Sequence, residues 1–377
     1  MGEPLERRFL IVAGEASGDL HAARLVSALR ELGPCRVRGV TGPALENAGA
    51  EREVAMDELA VIGFSAVLPR LPRLWSAYRR LLRVHDEFKP HASILVDSPG
   101  FNFRIGPALK RRGARIFYYI APQVWAWHAE RAAEMVAWVD RLGVVFPFEE
   151  RLFRDAGVNA TYVGHPLLDD LAPEVDEATL RRELGIGPQQ RIVGLLPGSR
   201  AQEIDHHLPI MRAAAERLAE GRPDLAFVVA LAPGAARTPA REGRATWTLV
   251  SGRTRAVQKF ARVCAVASGT ATLETALFGT PLAIVYRVGR INYAIARRVI
   301  RLDRIGLPNI VAGEDVAPEL IQDAFTPEAL AATLAGWLDD GASYQRACTG
   351  LTRVREKLGA AGASRRAATV AWQLAGG

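Results

Sequence analysis

Short runs of consecutive apolar residues alternate with longer amphipathic stretches along most of the chain. The first run, FLIVA at 9–13, is followed by apolar residues at helical spacing. Strands made only of apolar residues are typical of parallel sheets covered by helices on both faces. The pattern predicts a doubly wound, Rossmann-like α/β half, with further strands at 36–40, 92–97, 115–120 and 141–145.

The same pattern restarts in the second half of the chain, with strands predicted at 192–196, 226–231, 263–267 and 282–286. A single core rarely grows beyond about 250–300 residues, and this chain has 377. We therefore expect two doubly wound domains, with a ligand cleft between the carboxyl ends of their sheets. The expected domains are residues 1–167, joined by C-terminal helices at about 345–377, and residues 168–344.

The charge balance indicates anionic partners. Lys and Arg number 48 against 41 Asp and Glu, a net charge of +7, and only four of the cations are lysines. Nucleic acid, phosphorylated substrates and an acidic membrane face all suit such a surplus. Hydrophobic residues at 49% and charged residues at 24% are typical of a globular protein and exclude disorder or coiled coil.

The cysteines and the lengths of the apolar runs indicate the cellular compartment and whether the chain spans a membrane. Cys35, Cys264 and Cys348 are far apart and lack the spacing of a zinc site, so we expect a reducing cytosol and no metal. No apolar run reaches the roughly 20 residues of a membrane span. The sequence predicts a soluble protein or one that rests on a membrane surface.

The loop after the first predicted strand, GEASGD at 14–19, has two interpretations. Two carboxylates in it would repel a pyrophosphate, so a dinucleotide site is not expected. Glu15 and Ser17 could recognise substrate hydroxyls at the cleft. Alternatively, the loop is a tight turn in which Ser17 or Asp19 caps the helix.

Asp97 follows four apolar residues at the end of a predicted strand. Partial desolvation there would raise its pKa and make it a better base, whereas the alternative is a helix cap. His165, before Pro166, either reaches the cleft or only packs. Trp125 and Trp127 form either a platform for a sugar or acyl chain, or a core pair.

The second half offers an anion site at Pro197–Arg200, which follows a buried strand. Free amides at a helix start, with the small Ser199 and the forked cation of Arg200, suit a diphosphate. A plain turn with a solvated arginine is the alternative.

A second hydroxyl-rich loop begins at Ser268, where a helix is predicted to start. The hydroxyls and amides of Ser268, Gly269 and Thr270 could hold a diphosphate. The carboxylate of Glu274, one turn later, could accept hydrogen bonds from two ribose hydroxyls. Alternatively, Glu274 belongs to an ordinary helix cap.

Two basic amphipathic segments, 70–88 and 286–304, combine arginines with Leu, Ile, Tyr and Trp. This combination suits an anionic lipid surface. The alternative is an ordinary packing helix with a solvated basic face.

Taken together, the motifs of the chain resemble those of the lipid A disaccharide synthase family. They run in order over nearly the whole chain: VAGEASGD (12–19), ELAVIGFSAVLPRL (58–71), LVDSPGFNF (95–103), APQVWAW (121–127), FPFEE (146–150), GHPLLDD (164–170), LLPGSR (195–200), SGTATLE (268–274) and LPNIVAG (307–313).

The resemblance implies a GT-B glycosyltransferase that joins UDP-2,3-diacylglucosamine to 2,3-diacylglucosamine 1-phosphate, forming the β(1→6) disaccharide of the lipid A precursor. It implies Asp97 as the base, a requirement for Arg200 and Asn309, and a helical tail returning to the first domain. The site would lie at the cytoplasmic face of the inner membrane. With no DxD motif or His cluster, no cofactor or metal is expected. Gly100 and His128 depart from the family pattern, which puts acceptor phosphate or acyl binding in doubt.

Two other functions stay open from the sequence. Another UDP-N-acetylglucosamine-dependent GT-B transferase or a 2-epimerase would share the SGTATLE and GHP motifs. A nucleic-acid-binding protein is disfavoured, because the positive charge is spread over many helices and no nucleic-acid motif is present. The oligomeric state, a homodimer included, is undetermined by the sequence.

Overall fold

A computed structural model describes residues 6–59, 67–124, 130–231, 247–289 and 304–376. The chain forms two compact units. The first consists of Met1–Asp169 and Ala360–Gly377, and the second of Asp170–Gly359.

The first unit contains a sheet of seven parallel strands in the order β3-β2-β1-β4-β5-β6-β7. All five residues of the FLIVA run are fully buried, as expected of a central strand covered on both faces. The strands are β1 (Arg7–Ala13), β2 (Cys35–Thr41), β3 (Glu51–Ala55), β4 (Ala92–Val96), β5 (Ile116–Tyr119), β6 (Arg141–Val144) and β7 (Ala160–Tyr162).

Helices connect these strands, and within the described part of the unit 3₁₀ turns lie at Met56–Glu58 and Pro166–Asp169. Of the apolar stripe that the sequence predicts for helix α1, His21, Leu25, Leu29 and Leu32, the two central leucines are buried, together with Ala22 and Val26. The helices are α1 (Ala16–Leu32), α2 (Pro43–Asn47), α3 (Val67–Phe88), α4 (Pro99–Lys110), α5 (Glu130–Met135) and α6 (Pro147–Asp155).

The second unit contains a sheet of six parallel strands in the order β10-β9-β8-β11-β12-β13. Its strands are β8 (Arg191–Leu196), β9 (Leu225–Leu231), β10 (Trp247–Ser251), β11 (Val263–Ala267), β12 (Leu282–Tyr286) and β13 (Glu319–Ile321). Its helices are α7 (Glu177–Leu184), α8 (Ala201–Ala219), α9 (Thr254–Phe260), α10 (Thr270–Leu277), α11 (Leu307–Ala312), α12 (Pro327–Asp339) and α13 (Gly341–Leu358), with a 3₁₀ turn at Gln322–Ala324.

The chain returns to the first unit at residue 360, later than the expected position near 345. Leu351 and Val354 of α13 are buried, and Leu351 belongs to a core cluster of the second unit. Only the last helix, α14 (Ala363–Gly376), belongs to the first unit, where it packs on α1. The prediction that α13 joins the first unit is therefore wrong, because the second unit covers the apolar face of this helix.

Within the described ranges, no helix is long and apolar enough to cross a membrane.

Candidate active site

Asp97 lies immediately after β4, the neighbour of β1 in the first sheet. Asp97 and Ser98 are both left-handed, with φ of 46° and 43°, a conformation that costs energy for residues other than glycine. The Asp97 carbonyl oxygen accepts hydrogen bonds from the Tyr118 hydroxyl at 2.6 Å and from Asn102 Nδ2 at 2.7 Å. These two bonds stabilise the strained turn from β5 and α4.

The environment of Asp97 raises the pKa of its carboxyl group and so favours the neutral form. Burial and, second to it, the negative charge of Glu15 raise its pKa to about 6, although a hydrogen bond from the Ser98 backbone opposes them. The residue keeps partial solvent exposure. A carboxylate of this pKa is ionised at pH 7 to 8 and yet basic enough to accept a proton from a hydroxyl. It has the properties expected of a general base.

The loop after β1 approaches the Asp97 turn closely. A Cβ added to Gly14 would lie 2.8 Å from Ser98 Oγ, so a larger residue there would force the Ser98 side chain to shift. Glu15 and Ser17 are exposed. Asp19 is buried and accepts hydrogen bonds from the backbone amides of residues 42, 44 and 45, at the start of α2.

The capping alternative for this loop is therefore wrong. The residue that precedes α1 is Glu15, whose side chain makes no cap bond, and the carboxylate of Asp19 caps α2 instead. The exposed polar groups of Glu15 and Ser17 remain at the carboxyl edge of the sheet, beside Asp97.

His165 is buried and neutral. Its Nδ1 accepts a hydrogen bond from the Leu167 amide at 3.2 Å, and its ring packs on Phe146, with centroids 5.1 Å apart. Burial and, second to it, the nearby His21 lower its pKa to about 3, although Asp169 opposes them. Its electrostatic partners are thus His21 and Asp169 rather than Asp97.

In the second unit, the Pro197–Arg200 loop differs from its expected form in one respect. The amides of Ser199 and Arg200 are not free, because Glu203 Oε2 accepts hydrogen bonds from them at 3.0 and 3.2 Å. Gly198 has φ of 117°, and a Cβ there would meet this same carboxylate oxygen at 2.5 Å. The helix start thus holds an internal anion.

Arg200 itself remains accessible. Its side chain is 80% exposed, and Nη1 contacts Glu203 Oε1 at 2.8 Å. The Ser-x-x-x-Glu spacing was visible in the sequence, and a glutamate at the third helical position is a known capping signal. Glu203 is therefore a site residue that the sequence analysis missed.

The loop after β11 presents Gly269 and Thr270 to solvent at the start of α10. Ser268 Oγ donates to the carbonyl of Ile305 at 3.2 Å, and Thr272 Oγ1 donates to the Gly269 carbonyl at 2.7 Å. These bonds position a loop at the start of a helix, where the first amides have no partner within the helix, as anion binding requires.

Glu274 is largely buried and already has a cationic partner. Its Oε1 accepts hydrogen bonds from Arg255 Nε and Nη2, both at 3.2 Å. Burial raises its pKa, and the Arg255 charge opposes the shift. Arg255 also donates to the Asp170 carbonyl at 2.9 Å, and it is a second residue that the sequence analysis missed.

The structure does not support direct ligand contact by Asn309. Its side chain is almost fully buried, and Nδ2 donates to the Ala317 carbonyl at 2.7 Å and to Glu319 Oε1 at 2.8 Å. Its Oδ1 accepts from the amides of residues 316 and 317, both at 2.9 Å. Because Glu319 also binds the amides of Ile305 and Gly306, Asn309 fixes the segment that Ser268 contacts.

Some predictions lie outside the described residues: those for Trp125 and Trp127, and most of the segment 286–304. In α3 the second half behaves as an ordinary packing helix, since Leu81, Leu82 and Phe88 are buried. Trp75 is 61% exposed. Among the described residues, no group of three or more His, Cys, Asp or Glu could hold a metal ion.

The two Rossmann-like units define the structural class of the protein, and solved structures share this fold. The fold is similar to the glycotransferase of kitacinnamycin (TM-score 0.65, 16% identity, 98% of this chain and 100% of that one). It is also similar to a UDP-N-acetylglucosamine 2-epimerase described as putative from Listeria monocytogenes (0.64, 14%, 92% and 91%) and to Acinetobacter baumannii MurG (0.59, 16%, 98% and 100%). The chain thus has the GT-B fold of glycosyltransferases and related epimerases.

Sequence similarity then identifies the family. The model of the lipid-A-disaccharide synthetase family matches residues 9–372. The lipid-A-disaccharide synthase of Geobacter metallireducens is 41% identical over 382 residues, covering 100% of this chain and 99% of the relative. That of Myxococcus xanthus is 42% identical over 373 residues, covering 97% of each. The chain belongs to the lipid-A-disaccharide synthase family and is a glycosyltransferase; an epimerase or another transferase is not favoured.

Proposed function

We propose that the chain transfers the diacylglucosaminyl group of UDP-2,3-diacylglucosamine to O6 of 2,3-diacylglucosamine 1-phosphate, with inversion. The acceptor oxygen forms a bond to the anomeric carbon while the bond from that carbon to the UDP oxygen breaks. UDP leaves with the electron pair, and Asp97 accepts the hydroxyl proton. The products are the β(1→6) disaccharide 1-phosphate and UDP.

The observation that carries this proposal is the Asp97 turn. Its carbonyl is held by Tyr118 and Asn102, and its carboxyl group has a pKa of about 6 beside Glu15. A structural cap would gain nothing from a strained backbone and a raised pKa, whereas a base requires both a fixed direction and matched basicity. The exposed Glu15 and Ser17 would bind acceptor hydroxyls next to it.

The donor's diphosphate would bind in the second unit, at the loops after β8 and β11. Arg200 supplies an exposed forked cation, and Ser199, Ser268, Gly269 and Thr270 supply hydroxyls and amides. In this proposal the Glu203 carboxylate turns away when the diphosphate arrives and releases two amides to it.

Other predicted residues take supporting roles. Glu274 would accept the ribose hydroxyls, its charge balanced by Arg255. His165, neutral at working pH because of its lowered pKa, would donate a hydrogen bond from Nε2 to substrate without adding charge, since Nδ1 already accepts from the Leu167 amide. Asn309 positions the segment behind Ser268 rather than contacting the ligand. No residue of this scheme requires a metal, so we expect turnover to continue in EDTA.

We further propose that the enzyme works on an anionic membrane surface at the cytoplasmic face of the inner membrane. In α3, exposed Trp75 stacks on Tyr78 with centroids 5.3 Å apart, and Arg73 and Arg79 are exposed nearby on the same helix. Aromatic and arginine side chains on one helix suit a charged lipid interface. Binding of Trp75→Ala to phosphatidylglycerol vesicles should weaken relative to the parent, while turnover of detergent-dispersed substrate should not.

The decisive experiment is incubation of the purified enzyme with both acylated substrates, followed by mass detection of the disaccharide and of UDP. Asp97→Asn serves as the inactive control. A parallel reaction uses unacylated UDP-glucosamine as the donor. Equal use of the unacylated donor would contradict the lipid assignment, and full activity of folded Asp97→Asn would remove Asp97 from the mechanism.

A further inference from the structure

We infer that His207 is a positioning residue for donor binding, because it ties the loop after β8 to the backbone after β12. His207 Nδ1 donates to the Pro197 carbonyl at 2.7 Å, and Nε2 accepts from the Arg287 amide at 2.9 Å. The inference rests on the proposed function, in which the Pro197–Arg200 loop binds the diphosphate.

The position of these two contacts in the sheet gives them their significance. In the second sheet, β11 lies between β8 and β12. Pro197 directly follows β8, and Arg287 directly follows β12. One imidazole ring thus joins the two segments that flank the loop after β11, which begins with Ser268. The ring thereby holds the segments after β8 and β12 at a fixed spacing on either side of the loop after β11.

A second contact from the same helix face supports this role. Glu203 and His207 are four residues apart on α8 and therefore lie on one face of it. Glu203 binds the amides of Ser199 and Arg200, and His207 binds the carbonyl of Pro197. When Glu203 releases its two amides to a diphosphate, the His207 bond still fixes the loop.

The ring is suited to a fixed, uncharged bridge. His207 is fully buried, with Tyr286 and Phe325 against it at centroid distances of 6.0 and 5.9 Å. Burial lowers its pKa, although the Pro197 carbonyl, the Arg287 carbonyl at 3.1 Å from Nε2 and the nearby Glu203 oppose the shift. As a neutral imidazole it has one donor and one acceptor nitrogen, and both are used. A histidine that only filled the core would need neither loop as a partner.

Two conservative variants separate the two bonds. The amide of His207→Asn can reach the Nδ1 position and keep the Pro197 bond, whereas the amide of His207→Gln can reach the Nε2 position and keep the Arg287 bond. His206→Asn, at the exposed neighbouring residue, is the matched control. For each we would measure the Kd of UDP by calorimetry, the KM of each substrate, kcat and the thermal unfolding temperature.

We expect each His207 variant to raise the UDP Kd and the donor KM about 3- to 10-fold, the equivalent of one lost hydrogen bond. The acceptor KM and kcat at saturating donor should change less than about 2-fold, since the lost bond affects donor binding alone. His206→Asn should match the parent. An unchanged UDP Kd in both folded variants would overturn the inference, as would an equal rise in the acceptor KM.

Failure of the proposed function would look different. In that case the parent enzyme itself would not bind UDP or form the disaccharide. If the parent binds UDP and turns over but both His207 variants bind UDP equally well, only the positioning role is wrong. A variant with a lowered unfolding temperature but unchanged UDP affinity at 10 °C counts against the inference, because it shows a structural role only.

Discussion

The raised pKa of Asp97 suits a catalytic base but makes the folded state less stable when the side chain is ionised. Its pKa of about 6 in the folded protein exceeds the ordinary value of 3.8, so the folded state disfavours its ionised form. Protonation therefore stabilises the fold, and that stability is lost as pH rises through about 6. The residue is costly to the fold at the pH at which it would act as a base.

Asp97→Asn should consequently separate the two effects. We expect kcat to fall about 10²–10⁴-fold, the contribution of a positioned base. The unfolding temperature at pH 8 should rise, because the buried charge is gone, and the gain should vanish below about pH 4, where Asp97 is protonated in both states. Turnover assays and thermal unfolding between pH 4 and 8 test this. A lower unfolding temperature at pH 8 would contradict the charge argument.

A substitution at Glu15 tests the cause of the raised Asp97 pKa without changing Asp97 itself. Its negative charge is the second cause of the raised Asp97 pKa, after burial. Glu15→Gln should lower that pKa, so the acidic limb of the kcat profile should move to lower pH. Glu31→Gln, exposed at the far end of α1, is the matched control and should leave the limb in place. A limb unchanged in Glu15→Gln would mean that another group titrates.

At the scale of elements, the sequence predicted the central strands well and the edge strands poorly. The strands β3, β7, β10 and β13 were not predicted, and they are the four edges of the two sheets. Edge strands are short and only partly covered, so they lack the continuous apolar run that identifies a central strand. In β3, for example, Val54 is the one buried residue, and a single apolar position is too weak a pattern to predict a strand.

The site divides in the same way. Asp97 and the loops at Ser199 and Ser268 follow central strands, where the rule that ligands bind at carboxyl ends predicts a site. Glu203 carried a readable signal, because a glutamate at the third helical position is a capping pattern. His207 and Arg255 lie within helices, where nothing in the sequence distinguishes a side chain that turns back to a loop. The contacts of Asn309 could not be read from the sequence either, because its hydrogen bonds are to backbone and to Glu319, which no spacing reveals.

The start of α14 depends on a carboxylate from a distant part of the chain. Asp169 accepts hydrogen bonds from the amides of Gly362, Ala363 and Ser364 at 2.6, 3.0 and 2.9 Å, and from Ser364 Oγ at 2.8 Å. Burial alone would raise its pKa, but these bonds outweigh burial and lower it. The stability that they add is present above about pH 4 and is lost as pH falls through the lowered pKa.

Asp169→Ala should therefore destabilise the protein by about 1–2 kcal/mol at pH 7, the upper range for a helix cap. The difference from the parent should shrink in acid, where the carboxylate is protonated. Asp176→Ala is a matched control, because Asp176 is exposed and caps α7 mainly through the Thr179 amide; we expect a smaller loss. Urea unfolding at pH 7 and at about pH 2.5, well below the ordinary pKa of 3.8, tests both expectations. An equal loss in both variants at pH 7 would contradict the role assigned to Asp169.

At the scale of the whole molecule, the first unit is discontinuous, because its last helix comes from the end of the chain. Ala363, Ala367, Ala368 and Ala371 of α14 are fully buried in it. The Arg366 side chain donates to the Val163 carbonyl at 2.8 Å, and the Arg7 guanidinium lies 4.1 Å from the Trp372 ring centroid. The second unit contains both proposed diphosphate loops within one continuous segment, 170–359.

A chain ending at Gly359 should consequently lose stability in the first unit alone. In the full chain, UDP at 100 times its Kd should stabilise the second unit against unfolding by about 2.7 kcal/mol. Scanning calorimetry should show this as a higher transition temperature for the second unit. In the shortened chain, the first unit's transition should fall in temperature or disappear, while a UDP-stabilised transition persists, because the donor loops need no residue beyond 359. Removing Gly377 alone is the control. Loss of the UDP-dependent shift on truncation at 359 would show that the C-terminal helix contributes to donor binding.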